Sequence, residues 1–266
     1  MAPAREVSAP PAFDTLGRDA YYWTRLRELV DDAGYTLEDV VRNWQAYVMR
    51  RDLIRFIAHY ELFKRVVDLP GCIVELGVYR GASFFTWTNL IETFAPFDRH
   101  RHVYGFDSFE GLQRFLSQDG ADAAGAIKTN DLTKRYVGAF GVKAAELEAL
   151  VEMHNADAMI PGTRRTRLVV GDIMETLPRF VAENPGLRIS LIHFDVDLYE
   201  PTKLGLELLY PLVVRGGVLA FDEYAFLDWP GETKAVDEFF GGFPPGERPR
   251  IEKMPFAQAP AFVVKP

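Results

Sequence analysis

The sequence predicts an α/β fold built on a mostly parallel sheet, and three observations lead to that prediction. From residue 71 onward, short apolar runs alternate with amphipathic stretches of helical period, the pattern of successive strand–helix units. The first of these runs opens directly into a glycine turn, Glu75-Leu76-Gly77-Val78-Tyr79-Arg80-Gly81-Ala82-Ser83. Five successive runs contain, or lead straight into, an acid: Glu75, Asp107, Asp172, Asp195 and Asp222. In a parallel sheet these acids share the carboxyl edge, where ligands of such folds bind.

Residues 1–14 are rich in Ala and Pro and are expected as a disordered arm. Residues 15–70 read as an N-terminal helical extension. One apolar stripe comprises Tyr21, Leu26, Leu29 and Val30, and a second Leu37, Val40, Val41, Trp44 and Val48. A third comprises Leu53, Ile54, Ile57, Leu62, Phe63, Val66 and Val67, and Pro70-Gly71 ends it. Such an extension must bury its stripes on the main domain, on a second subunit, or both, so a homo-oligomer is expected.

The main domain spans 71–266. Strands are expected at 72–76, 102–106, 167–170, 189–194 and 217–221, with helices at 82–94, 174–183, 201–212 and 233–240. Residues 250–255 and 261–264 form a closing antiparallel hairpin. Residues 108–165 exceed a simple connection and read as a lid insertion, with helical pieces near 133–140 and 144–154. Its Lys128, Lys134, Arg135, Arg164 and Arg165 are either partners of a phosphate-bearing acceptor or scattered solvated charges.

A length of 266 residues, 48% hydrophobic and 26% charged, is ordinary for a globular chain with a full core. The net charge of −8 disfavours a nucleic-acid partner. The single cysteine, Cys72, forms no internal disulfide and reads as a packed thiol. No apolar run reaches the ~18 residues of a membrane span, and the start of the chain lacks the apolar stretch of a signal peptide. A cytoplasmic protein is therefore expected.

The glycine turn invites two cofactor readings. A nicotinamide dinucleotide wants G-x-G-x-x-G and an acid about 20 residues further on. Here the glycines are Gly77 and Gly81 alone, and Asp107 lies 30 positions past Gly77. A carboxylate at Glu75 would sit poorly beside a pyrophosphate but suits an ammonium group. Asp107 is placed to accept from both hydroxyls of a ribose, and Asp172 from an adenine amine. An amino acid joined to an adenosine is S-adenosylmethionine. Taken alone, Glu75 reads equally well as a capping carboxylate at a turn. Ser83 reads either as a contact to the methionine carboxylate or as a helix cap.

Asp195 and Asp197, two residues apart, point to one face if the backbone is extended. Asp222 and Glu223 follow the neighbouring strand. Four carboxylates so close repel one another unless protonated or bridged by a cation, and all-oxygen ligation suits Mg²⁺ or Ca²⁺. The competing reading makes Asp197 a helix cap and Asp222 or Glu223 a loop residue. His193 is a second base candidate, or a hydrogen-bonded histidine within the sheet.

Four segments carry a resemblance: the Glu75–Gly81 turn, Tyr104-Gly105-Phe106-Asp107-Ser108-Phe109-Glu110-Gly111-Leu112, His193-Phe194-Asp195-Val196-Asp197-Leu198-Tyr199-Glu200-Pro201-Thr202 and Phe221-Asp222-Glu223-Tyr224. Over roughly 55–240 the chain resembles the macrocin O-methyltransferase family, class I S-adenosylmethionine enzymes of natural-product (antibiotic) biosynthesis. The resemblance implies a Rossmann-like sheet and methyl transfer to a deoxysugar hydroxyl. The acceptor would be a sugar nucleotide, such as TDP-rhamnose at its 3-hydroxyl, or a glycosylated product. It implies Mg²⁺ or a similar divalent cation at Asp195, Asp222 and Glu223, with Asp197 as general base and Asp195 sharing the catalytic site. The implied cofactor contacts are Glu75, Gly77, Tyr79, Gly81, Ser83, Asp107, Ser108, Asp172, Ile173 and Asp195. Tyr79 stands where class I enzymes commonly carry a middle glycine, and Glu223 where an Asp is common. Two other functions fit the same residues less well: a catechol-type metal-dependent O-methyltransferase, and a cofactor-binding protein without turnover.

Overall fold

A computed structural model describes residues 15–112, 114–120, 141–227, 229–257 and 259–266. The expected arm at 1–14 and the helical piece at 133–140 lie outside the described residues, as do Lys128, Lys134 and Arg135. The chain divides into two compact units, Met1–Leu53 and Ile54–Pro266.

The first unit holds α1 (Thr15–Ala33), α2 (Leu37–Arg42) and α3 (Trp44–Tyr47). Thr36 and Asp39 start α2 with a reciprocal capping box, each side chain accepting the other's backbone N–H. The Tyr22 hydroxyl donates to the Tyr47 carbonyl at 2.6 Å, and Arg51 pairs with Asp19 at 2.6 Å. α4 runs over Arg50–Val66. Its buried positions are Ala58, His59, Leu62, Phe63 and Val66, whereas Ile54 and Ile57 are each 38% exposed. The inward stripe is thus rotated from the expected one and carries a histidine.

The second unit contains β1 (Cys72–Leu76), α5 (Ala82–Phe94), β2 (Val103–Asp107), α6 (Ala144–Ala156), β3 (Thr166–Val170) and α7 (Ile173–Glu183). It continues with β4 (Ile189–Phe194), α8 (Tyr199–Leu209), β5 (Val213–Phe221), α9 (Pro230–Gly241), β6 (Ile251–Lys253) and β7 (Ala261–Val264). These strands form one seven-stranded sheet of order β3-β2-β1-β4-β5-β7-β6. The pairs among β1 to β5 are parallel, and β7 runs antiparallel to both β5 and β6. The α/β reading, the mostly parallel sheet, the closing hairpin and the N-terminal helices all hold. α9 starts three residues earlier than expected because Pro230 suits a first helical turn, where no N–H is needed.

Central strands are apolar on both faces because helices cover both. Ile73, Leu191, Val218 and Ala220 face one cluster, with Leu62, Phe84 and Trp87 from α4 and α5. Val74, Leu76, Ile192, Phe194 and Phe221 face the other, with Leu177, Leu206 and Val236 from α7, α8 and α9. The period of two therefore places Glu75 of β1 and His193 of β4 on the α4/α5 face, paired in register. Cys72 is buried, and burial pushes its thiol pKa up, in keeping with a packed side chain. Among the described residues, no helix is long and apolar enough to cross a membrane.

Candidate active site

β1 ends in the glycine turn, and close packing dictates its composition. Gly77 has φ +86°, and its N–H donates to the Phe106 carbonyl at 2.9 Å. A Cβ there would stand 1.8 Å from the Asp195 carbonyl oxygen, so only glycine lets the end of β1 meet the end of β4. Gly81, at φ +83°, caps α5 in the left-handed conformation. Tyr79, at φ 49°, is partly exposed between them.

Asp107 at the end of β2 holds this turn in place. Its Oδ2 accepts the N–H groups of Val78 and Tyr79 at 2.8 Å each, and its Oδ1 accepts from Phe109 at 2.7 Å. A carboxylate offers about four acceptor positions, so it retains capacity for a ligand while fixing the turn. Ser108 Oγ accepts the Glu110 N–H at 3.2 Å. Asp172 caps α7 by accepting the Met174 N–H at 2.9 Å, and Ile173 beside it is buried. Along the carboxyl rim the order is Asp172, Asp107, Glu75, Asp195, Asp222, following the order of their strands.

Glu75 is fully buried. Its Oε1 accepts from Ser83 at 3.0 Å; its Oε2 contacts Trp87 Nε1 at 2.7 Å and His193 Nδ1 at 3.0 Å. The carboxylate thereby ties β1 to α5 and β4, and the Ser83 hydroxyl is engaged inward rather than capping α5. His193 is equally buried, within the sheet, with Glu75 on one side and Asp222 Oδ1 3.7 Å away on the other. Burial alone would lower its pKa, but these two carboxylates raise it to about 10.

The second half of the rim is a carboxylate cluster. Asp195 follows β4, and Asp222 and Glu223 follow β5; one oxygen from each lies within 4.8 Å of the others. Asp197 joins them by a route other than extended backbone. It adopts φ 61° in a tight turn closed by the Leu198 N–H donating to the Val196 carbonyl at 2.6 Å. A left-handed conformation is tolerable for Asp, and such outliers concentrate at functional sites. Burial and then Asp222 raise Asp195 to about 8, and burial and then Asp222 raise Asp197 to about 7. For Asp222 burial acts upward too, but His193 and Arg55 outweigh it and hold the group at about 2. Burial first, and then Asp197 and Glu232, push Glu223 well above the usual carboxylate range.

Asp222 Oδ1 and Glu223 Oε2 are buried without a hydrogen-bond partner. Unsatisfied buried oxygens on two of the three converging carboxylates fit a hard dication, which takes oxygen ligands. Asp195, Asp222 and Glu223 could hold it.

Two residues of this site, Arg55 and His59, escape the sequence reading, and Glu232 reads there only as part of a site-lining loop, 229–233, that caps a helix. Arg55 of α4 places Nη2 2.6 Å from Asp195 Oδ2 and 2.9 Å from Asp222 Oδ2. Burial would lower its pKa, but Asp195, Asp222 and Glu223 hold it well above the ordinary range. His59, one helical turn on, is buried with its ring centroid 5.0 Å from that of His193. Glu232 of α9 is fully buried and accepts the Glu223 N–H at 2.8 Å. The available signal was the i, i+4 spacing of Arg55 and His59 on a helix otherwise inwardly apolar.

Other candidates are engaged elsewhere. Arg165 is buried, paired with Glu92 at 2.5 Å and donating to the Arg101 carbonyl at 2.9 Å; Arg164 pairs with Glu152. Tyr199 and Tyr224, which the sequence offers either for stacking on a sugar or base or for packing, donate to Glu238 and Asp237.

The sheet order, the antiparallel final strands and the ligand-facing rim define a class I S-adenosylmethionine-dependent methyltransferase fold. Residues 46–241 match the macrocin-O-methyltransferase (TylF) family, and the chain belongs to that family. It is 32% identical over 157 residues, 59% of the chain, to a tetracenomycin rhamnosyl 4'-O-methyltransferase of Streptomyces olivaceus. It is 30% identical over 176 residues, 66% of the chain, to demethyldecarbamoylnovobiocin O-methyltransferase of Streptomyces niveus. The matches span 54% and 60% of those curated relatives. Among solved structures, the calicheamicin methyltransferase CalS11 superposes with a TM-score of 0.80 at 30% identity, covering 92% of each chain. An apo structure of that protein, described as a TDP-rhamnose 3'-O-methyltransferase, gives 0.74 at 30% identity over 92% of this chain and 94% of its own.

Proposed function

We propose that this chain is an S-adenosylmethionine-dependent O-methyltransferase for a deoxysugar hydroxyl, carried on a nucleotide or on a glycoside, with a divalent cation at the acceptor. The 3-hydroxyl of TDP-rhamnose is the acceptor we favour, since the structural relative CalS11 is described as a TDP-rhamnose 3'-O-methyltransferase. The observation that supports this reading best is the contact between the two halves of the rim. The turn carrying Gly77 packs against the Asp195 backbone, so a cofactor over that turn adjoins the carboxylate cluster.

The bound cofactor supplies a methyl group already activated on a sulfonium. Gly77 and Gly81 keep the turn free of side chains; Asp107 fixes it and has one acceptor position left for a ribose hydroxyl. Tyr79, Ser108, Asp172 and Ile173 line the same edge in this reading, and Glu75 and Ser83 act by holding the turn to α5 and β4. The bound dication makes an acceptor hydroxyl more acidic. Asp195, Asp222 and Glu223 hold it, and Asp197 receives the hydroxyl proton. Orientation of the acceptor oxygen in line with the methyl is the remaining contribution of these residues.

Incubation with EDTA followed by desalting should remove most methyl transfer to TDP-rhamnose, and Mg²⁺ should restore it. Full activity after chelation would end the metal assignment, and transfer to catechols instead of the sugar nucleotide would end the acceptor assignment. Asp107→Asn should weaken S-adenosylhomocysteine binding roughly tenfold, the scale of one lost charge-assisted hydrogen bond. Titration calorimetry giving wild-type affinity would remove Asp107 from the cofactor site.

Within this reading, residues 1–14, 15–70 and 71–266 are an arm, a helical extension and the catalytic domain, with 108–165 serving as a lid over the acceptor. Exposed Leu37, Val41 and Trp44 on the extension support a homo-oligomer, which light scattering of the purified chain would test.

A further inference from the structure

Arg55 occupies the place of a cation in the cluster. Its Nη2 bridges Asp195 Oδ2 and Asp222 Oδ2, two of the three acids assigned above to the dication. It does not complete the site: on side chains more than nine-tenths buried, Glu223 Oε2 remains without a hydrogen-bond partner and Asp222 Oδ1 has only His193 Nε2, 3.7 Å away. A guanidinium is a flat fork that pairs with carboxylates at their margin. A compact dication can draw in oxygens from several sides at about 2.0–2.6 Å.

The two cations also differ in their freedom to leave. The Arg55 side chain is 42% exposed, whereas that of Asp222 is 6% exposed. A long arginine stem can withdraw its head to water while its methylenes stay against apolar surface. Asp222 has no such freedom, because its backbone N–H donates to the Phe194 carbonyl at 3.0 Å.

We propose that Arg55 is a built-in counter-ion that competes with the dication for Asp195 and Asp222. Cation loading and withdrawal of the guanidinium are then one event. This rests on the metal assignment made above and assigns Arg55 a positioning role: it stabilises the cluster when no dication is bound and opposes loading. Thermodynamic linkage makes the opposition mutual, so whatever weakens the Arg55 contacts must tighten the dication.

The test is Mn²⁺ binding, read by electron paramagnetic resonance of the free ion, on the full chain without cofactor or acceptor. Arg55→Gln should bind Mn²⁺ about tenfold more tightly than wild type, the scale of a charge-assisted hydrogen bond. Arg55→Lys, which keeps the charge but loses the fork, should fall between them. Asp222→Asn should abolish saturable binding. If Arg55→Gln does not yield folded protein, Arg55→Lys against wild type makes the same comparison. Equal or weaker Mn²⁺ binding in the Arg55 variants, with Asp222→Asn defective, would overturn the counter-ion role and leave the metal site standing. No saturable Mn²⁺ binding in any of these proteins would overturn both.

Discussion

Asp197→Asn should lower the turnover of methyl transfer by about 1,000-fold, within the usual contribution of a general base, while S-adenosylhomocysteine binds as in wild type. The substitution keeps the shape of the side chain and removes its ability to take a proton. Asn also tolerates the left-handed backbone that this position requires, φ 61°, so the turn after β4 should survive. The cofactor contacts proposed above lie at the glycine turn that Asp107 holds, so binding should be spared. Steady-state kinetics with calorimetry on the same preparation separate the two effects. Turnover within a few-fold of wild type would remove Asp197 from the base role.

Gly77→Ala should disable the site by a different route. The left-handed backbone alone costs a residue with a Cβ about 1–2 kcal/mol. The added methyl would also stand 1.8 Å from the Asp195 carbonyl oxygen, and that neighbour is backbone. The end of β1 and the end of β4 must then separate, and the Asp195 N–H bond to the Leu76 carbonyl, 2.8 Å long, stretches with them. The variant should melt at lower temperature and lose measurable S-adenosylhomocysteine binding, because cofactor turn and carboxylate cluster are displaced together. A melting curve and a calorimetric titration matching wild type would contradict that coupling. Gly81→Ala is a useful contrast, since its added atom would meet the movable ring of Phe85 at 2.6 Å.

The fold was legible in the sequence because its signals are local. An apolar run of five or six residues followed by an acid or a glycine marks a buried parallel strand and its ligand-facing end, as in β1, β2 and β4. The juxtaposition of Asp195, Asp222 and Glu223 follows from adjacent parallel strands, and β4 and β5 are indeed paired. What could not be read were partners brought in from elsewhere. Arg55 meets Asp195 across 140 residues of sequence, and on its own an arginine in an amphipathic helix looks like part of a solvated face. Glu232 lies in the first turn of α9, which begins at Pro230, and its burial depends on how that helix packs. Glu75 shows the opposite difficulty. Its position at the rim was evident, but its three inward donors depend on α5 and β4 packing against the same face. Asp197 reached the cluster through a tight turn that no alternation of residues encodes.

Asp119 bears on how such a catalyst can change its range. This nearly inaccessible carboxylate accepts the Tyr199 N–H at the start of α8 through Oδ1 and the Leu116 N–H through Oδ2. Further along, the Val142 N–H donates to the Phe109 carbonyl at 3.2 Å. The described residues on either side of 121–140 are thus held to the start of α8 and to the segment after β2. Substitutions within 121–140 made to test acceptor choice should therefore leave the Asp107-held turn, and S-adenosylhomocysteine affinity, unchanged.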